Sequence, residues 1–125
     1  MPMYHIKMTQ RNMTVRDLVE QLDLKVLAGS HGIDKEVTGG YVSDLLSDVM
    51  GHADAGQVWI TLQSHKNVMA IASLKDLAAV ILVAGNQPEA DMAAQSEQEG
   101  IPVLGTDLSC FEITGKLYER LKANA

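Results

Sequence analysis

The sequence lacks most of the features that tie a chain to a particular function. It has one cysteine, Cys110, where a secreted domain usually carries an even, disulfide-forming set. Cys110 is expected to be a small, buried apolar residue on a helix. Basic residues are few and dispersed. Ten Lys and Arg stand against sixteen Asp and Glu, for a formal charge of −6, and no two basic residues are adjacent. Binding to nucleic acid needs a basic footprint that replaces phosphate counterions, so no nucleic-acid partner is expected. No apolar run approaches the ~18 residues of a membrane-spanning helix, so no membrane partner is expected either. Residues 1–13 have no apolar signal core and include Gln10, Arg11 and Asn12, unlike a secretory leader. The expected location is the cytoplasm.

Chemical motifs are missing as well. His5, His31, His52 and His65 are scattered, no pair stands four residues apart, and neither HExxH nor CxxC occurs. The spacing of metal ligands is absent, and no metal or other cofactor is expected. Gly115-Lys116 imitates the end of a P-loop, but the required earlier glycine falls at Cys110 and the pair lies within a predicted helix. No GxGxxG follows a strand, and no GxSxG elbow is present.

The 125 residues, 46% apolar and 21% charged, match ordinary globular usage. A chain of this length buries roughly two-thirds of the surface it exposes when unfolded. Thr14, with Asp17 three residues on, predicts a capped helix start, and Val15, Leu18, Val19 and Leu22 follow at helical spacing. Leu24 to Ala28 reads as a strand, Gly29 to Lys35 as a loop, and Val37 to Val42 as extended chain. Ser43 or Asp44 is expected to cap a short helix holding Leu45, Leu46, Val49 and Met50. Val58 to Leu62 is a β-branched, aromatic strand. Next come a helix from Lys66 to Leu74 capped by Ser64, and an apolar strand from Ala79 to Ala84. A second helix has Pro88 in its first turn and stops at Gly100. Ile101 to Leu104 is the last strand, and Ser109 caps a final helix through Leu121.

Strand and helix alternate from Val58 onward, which argues for parallel strands joined by right-handed crossovers. The expected class is α/β: three layers, a mostly parallel sheet of about five strands, and helices on both faces. Residues 14–125 are expected to form one domain, with residues 1–13 as an amino-terminal arm or an extra edge strand. In such sheets ligands bind outside the carboxyl ends of the strands, where helix starts offer free N–H groups to an anion. Three segments qualify: Tyr41 to Asp44, Gln63 to Asn67, and Gly105 to Ser109. Tyr41, Asp44, His65, Asn67, Thr106, Asp107 and Ser109 are therefore candidate contacts for a small anionic ligand. Ordinary caps explain each of these residues individually. Gly39 and Gly40 join the candidates because two glycines in an extended segment need a reason. Positive φ, a bulge, close approach of a backbone or ligand, and a simple turn all remain open.

Asp34-Lys35-Glu36-Val37-Thr38-Gly39-Gly40-Tyr41-Val42-Ser43-Asp44 resembles the signature of the DRTGG domain family. TVRDLVEQLDLKVLAG (14–29), VWITLQSHKN (58–67) and GIPVLGTDLSCFE (100–112) resemble further segments of that family in the same order. The resemblance spans about residues 13–122. It departs at the naming motif itself, where Lys35-Glu36-Val37-Thr38 precede the glycine pair. The resemblance implies a fold like the amino-terminal domain of bacterial HPr kinase/phosphorylase. Such domains also occur beside CBS pairs in some pyrophosphatases and within some phosphate acetyltransferases. It further implies a regulatory or dimer-forming role, with the kinase active site in a separate domain, and it supplies no defined ligand.

Three readings follow. The first is a non-catalytic regulatory or sensor module that forms a homodimer and acts on a partner protein, its interface formed by Leu45, Leu46, Val49 and Met50. The second is a binding protein for a nucleotide or phosphometabolite at the strand ends. The third is an enzyme, for which Asp44 with His65, or Cys110 with a histidine, are the available pairs.

Overall fold

A computed structural model describes residues 12–124. The elements are α1 (Val15–Gln21), β1 (Lys25–Ala28), a 3-10 turn (Ser30–Gly32), β2 (Gly39–Val42), α2 (Leu46–His52), β3 (Gln57–Thr61), α3 (Lys66–Leu74), β4 (Ala79–Leu82), α4 (Ala90–Glu99), β5 (Val103–Gly105) and α5 (Cys110–Asn124). Of the amino-terminal arm or extra strand anticipated over residues 1–13, residues 1–11 lie outside the described residues.

The five strands form one sheet in the order β1-β5-β4-β3-β2. The β2–β3, β3–β4 and β4–β5 pairs are parallel, and each is bridged by a helix. β1 runs antiparallel to β5, with an irregularity between Val26 and Ala28. No helix covers the passage from β1 to β2; the 3-10 turn and an extended stretch make it instead.

Side chains alternate across the strands and divide the core in two. Val58, Ile60, Ala79, Ile81 and Leu104 point to one face, where α1 supplies Val15 and Leu18 and α5 supplies Ile113 and Leu117. Trp59, Val80, Leu82 and Val103 point to the other, under Val49 of α2, Val68, Met69 and Ala72 of α3, and Met92 of α4. The architecture is thus the expected three-layer, mostly parallel α/β sandwich. β4 is buried at every position, as a strand covered on both faces must be.

Several local expectations need correction. Val49 is fully buried and Leu46 packs against the same cluster, so neither belongs to an exposed interface stripe. Only Leu45 and Met50, 64% and 39% exposed, remain of that group. The cause is helical phase, because Val49 faces the sheet beside Trp59 while Met50, one residue on, is turned about 100° away. α2 begins after Leu45 without a side-chain cap. Ser43 Oγ accepts from the Leu45 N–H at 3.1 Å, and Asp44 reaches across to β3. α3 begins after His65, again without a side-chain cap, so Ser64 does not play the capping role. Pro88 sits just before α4, whose N-cap is Glu89. Gly100 ends α4 with φ of 68°, a left-handed geometry that glycine adopts without strain.

Candidate functional site

Because β2 to β5 are parallel, their carboxyl ends share one edge of the sheet, and α2, α3, α4 and α5 all start there. At β2 and β3 that edge is laced together. The Asp44 Oδ1 atom accepts from Thr61 Oγ1 and from the Leu62 N–H, both at 2.8 Å. The Gln63 amide donates to the Asp44 carbonyl at 3.0 Å. His65 Nε2 lies 3.2 Å from Gln63 Oε1 and donates to it in the tautomer protonated there. Gln63 therefore stands between Asp44 and His65, and the acid–base pair considered from the sequence is not in direct contact. The buried Trp59 fastens the same corner, its Nε1–H donating to the Ser43 carbonyl at 2.8 Å.

Tyr41 is half-buried, and its hydroxyl donates to Asp48 Oδ2 at 2.8 Å. That bond, with help from the Ser43 hydroxyl, holds the Asp48 carboxyl below the usual carboxylate range. The same bond, with burial second, pushes the Tyr41 phenol up.

Thr106, Asp107 and Ser109 belong to a second group. Thr106 is buried. Its carbonyl accepts from the Gly85 N–H at 2.9 Å, and its hydroxyl accepts from the Leu108 N–H at 3.1 Å. Asp107 is exposed beside Gly85. Ser109 caps α5 on the opposite face, trading hydrogen bonds with Glu112. The turn after β4 separates these residues from Asp44 and His65. Cys110 opens α5, half-buried, with its Sγ 3.8 Å from Thr114 Oγ1, and among the described residues no hydrogen bond joins it to a histidine.

Gly39 and Gly40 lie in the first half of β2, paired with Gln57 and Val58, and not at the carboxyl edge. Neither has positive φ. A Cβ on Gly40 would sit 3.0 Å from Leu117 Cδ2 of α5, so close approach is the reason for this glycine and a side chain is what approaches. The residues before it are also structural. Asp34 pairs with Arg16 at 2.9 Å and 3.2 Å, which lowers its pKa, and Thr38 Oγ1 donates to the Ala55 carbonyl.

What distinguishes this edge is the start of α3. His65, Lys66 and Asn67 gather there, no side chain caps the helix, and its first turn holds no acid. α2 and α4 are also uncapped, but Asp48 and Asp91 occupy their first turns. Of the three helix starts in this layer, α3 alone has neither a side-chain cap nor an acid in its first turn, so the positive end of its dipole is the one most open to an anion. Lys66 was not singled out from the sequence, because a lone lysine after a histidine carries no motif. An open groove of about 1030 Å³ lies elsewhere, between the α1–β1 turn and α5. It mixes Lys25, Lys116 and Arg120 with Asp23, Asp107, Glu112 and Glu119. Among the described residues no cluster of three or more His, Cys, Asp or Glu is placed to hold a metal ion, and no helix is long and apolar enough to cross a membrane.

The fold has a solved counterpart. The chain is similar to a crystal structure of the CBS and DRTGG domains of the regulatory region of Clostridium perfringens pyrophosphatase, complexed with its activator, diadenosine tetraphosphate. The TM-score is 0.63 at 13% identity, and the match covers 80% of this chain and 43% of the other. This chain therefore spans less than half the length of its structural neighbour, and the likeness is one of fold. No family model matches the sequence, and no curated protein matches it.

Proposed function

We propose that this chain is a regulatory or sensor module with no chemistry of its own, a DRTGG-like domain over residues 14–125. It holds a small anionic ligand at the start of α3 and pairs with a second copy through the Leu45–Met50 side of α2. The observation that carries the reading is the uncapped, acid-free first turn of α3 with His65, Lys66 and Asn67 around it. The Asp44–Gln63 bonds hold that turn in place. The side chains most suited to acid–base work at this edge are instead spent on fixing loops. The neighbour's regulatory region is complexed with a dinucleoside tetraphosphate, and phosphate oxygens are the natural occupants of an open helix start. A regulated partner protein completes the reading, since such a module acts only through what it is attached to or docks on.

Thermal unfolding with ATP, ADP, diadenosine tetraphosphate and inorganic phosphate tests the ligand. A compound at 100 times its dissociation constant adds about 2.7 kcal/mol, a rise of several degrees in Tm. Lys66→Glu with Asn67→Asp is expected to abolish the rise, while Lys116→Glu with Arg120→Glu in the α5 groove leaves it intact. No shift with any compound removes the ligand from the reading, and loss of the shift in the groove variant moves the site there. Sedimentation at tens of micromolar tests the dimer, and a monomer at that concentration contradicts it.

A further inference from the structure

α5 carries two features that nothing among the described residues explains. The first is a pair of aromatic rings left in water. Phe111, the chain's single phenylalanine, is 88% exposed, and Tyr118, two turns on, is 63% exposed. Aromatic rings are among the most valuable residues to bury, yet both stand away from Ile113 and Leu117, the buried residues of this helix. The second feature is Gly115, which lies between them. After proline, glycine is the costliest residue in a helix interior, and α5 runs unbroken from Cys110 to Asn124. A Cβ on Gly40 would press on Leu117, whereas a Cβ on Gly115 would meet nothing within 4 Å. The φ of Gly115 is not positive, so no turn requires a glycine here.

Phe111, Thr114, Gly115 and Tyr118 stand at i, i+3, i+4 and i+7. Four residues so spaced outline the hole into which a neighbouring helix inserts one side chain. Here the rims are aromatic, and the floor is Gly115 with the half-buried Thr114. Such a hole takes a large apolar side chain and lets the incoming backbone approach closely. Phe111, Gly115 and Tyr118 all border the open groove beside α5.

We propose that this face of α5 docks an amphipathic helix of a partner protein. That helix sets a leucine or an aromatic side chain over Gly115 and runs Lys or Arg along the flank of Glu112 and Glu119. The inference rests on the regulatory reading only in requiring a partner protein, and the surface lies on the opposite layer from α3. Charge selects the occupant. Glu112 and Glu119 stand seven residues apart, in a row beside the aromatic stripe, while Lys116 and Arg120 are turned further round the helix. Among the described residues, no hydrogen bond or ion pair engages Glu119. A second copy of α5 suits this face less well. With antiparallel helices crossing at Gly115, Glu112 of one copy meets Glu119 of the other. With parallel helices, Lys122 meets Lys122. Like charges set opposite each other work against both arrangements.

A labelled amphipathic Leu/Lys peptide of about 18 residues, long enough to hold a helix, is the probe, and its Leu/Glu counterpart is the control. Fluorescence anisotropy against the full chain is expected to show the Leu/Lys peptide binding about tenfold or more tightly than the Leu/Glu peptide. Gly115→Leu fills the hole. It is expected to raise the Tm of the free chain, through helix propensity, and to weaken the Leu/Lys peptide about tenfold or more. Glu119→Lys is expected to weaken the Leu/Lys peptide and strengthen the Leu/Glu peptide. Asp91→Lys, the same charge change on α4, is expected to alter neither. Equal binding of the two peptides, full binding by Gly115→Leu, a lowered Tm in that variant, or an equal loss in Asp91→Lys would each overturn the proposal. So would a dimer of the natural chain that Gly115→Leu dissociates in sedimentation, because the face would then belong to a second copy. Nucleotide-induced Tm shifts are expected to be the same in Gly115→Leu as in the natural chain, so failure of the docking face is read separately from failure of the ligand site.

Discussion

The two helical layers solve the same problem differently. On one face, α1 and α5 each begin with a side-chain box: Thr14 with Asp17, and Ser109 with Glu112. On the other face, α2, α3 and α4 begin at Leu45, His65 and Glu89 with no side-chain cap. A helix start closed by its own side chain has no room for a ligand, whereas one left open must be satisfied from outside. The face that carries α1 and α5 is thus finished locally. The face that carries α2 to α4 relies on the sheet beneath it, through Trp59 and the Asp44 bonds, to hold its helix starts in place.

The largest test of that contrast is Trp59→Ala. It empties the middle of the α2–α4 core and releases the bond to Ser43, with an expected cost of about 3–5 kcal/mol. Urea melts read it directly, and a cost under 1 kcal/mol would mean that α2 to α4 do not depend on this residue. Next come the caps. Thr14→Ala and Ser109→Ala are each expected to cost about 1 kcal/mol. Ser64→Ala is expected to stay within about 0.5 kcal/mol because Ser64 caps nothing. Equal effects in all three would erase the difference between the layers.

The smallest effect concerns pH. The Asp48 carboxyl is lowered in the fold, chiefly by the Tyr41 hydroxyl, so its contribution is present above its unfolded pKa and lost as pH falls through the folded one. The Tyr41 phenol is raised, so its contribution is present below its unfolded pKa and lost as pH climbs through the folded value. The gap in Tm between the natural chain and Tyr41→Phe is therefore expected to be widest at intermediate pH and to narrow at both the acid and the alkaline ends. A gap independent of pH would show that Tyr41 acts through packing alone.

The caps and strands that the sequence revealed are those written locally. Thr14 and Ser109 each carry their acid three residues on, and the continuous apolar run of β4 suits a strand buried on both faces. What stayed hidden depends on distant partners. Nothing near Ser64 says that β3 turns into α3 one residue later than a serine cap would need. Leu45, Leu46, Val49 and Met50 form an apolar cluster too short for its phase to be read, and only the presence of Trp59 opposite decides that Val49 goes inward. The antiparallel direction of β1 was equally illegible, because it follows from a connection that carries no crossover helix. Asp44 looked like a cap for the helix after it, and its real partners, Thr61 and Leu62, lie on the neighbouring strand.

Trp59 is the one tryptophan in the chain, and its indole is tied to the backbone at the β2–α2 corner. The protein thus carries its own optical gauge, shielded from water and unconfused by a second tryptophan. Any event that loosens or tightens the corner beside α3 should change the colour and lifetime of its fluorescence, with no label attached.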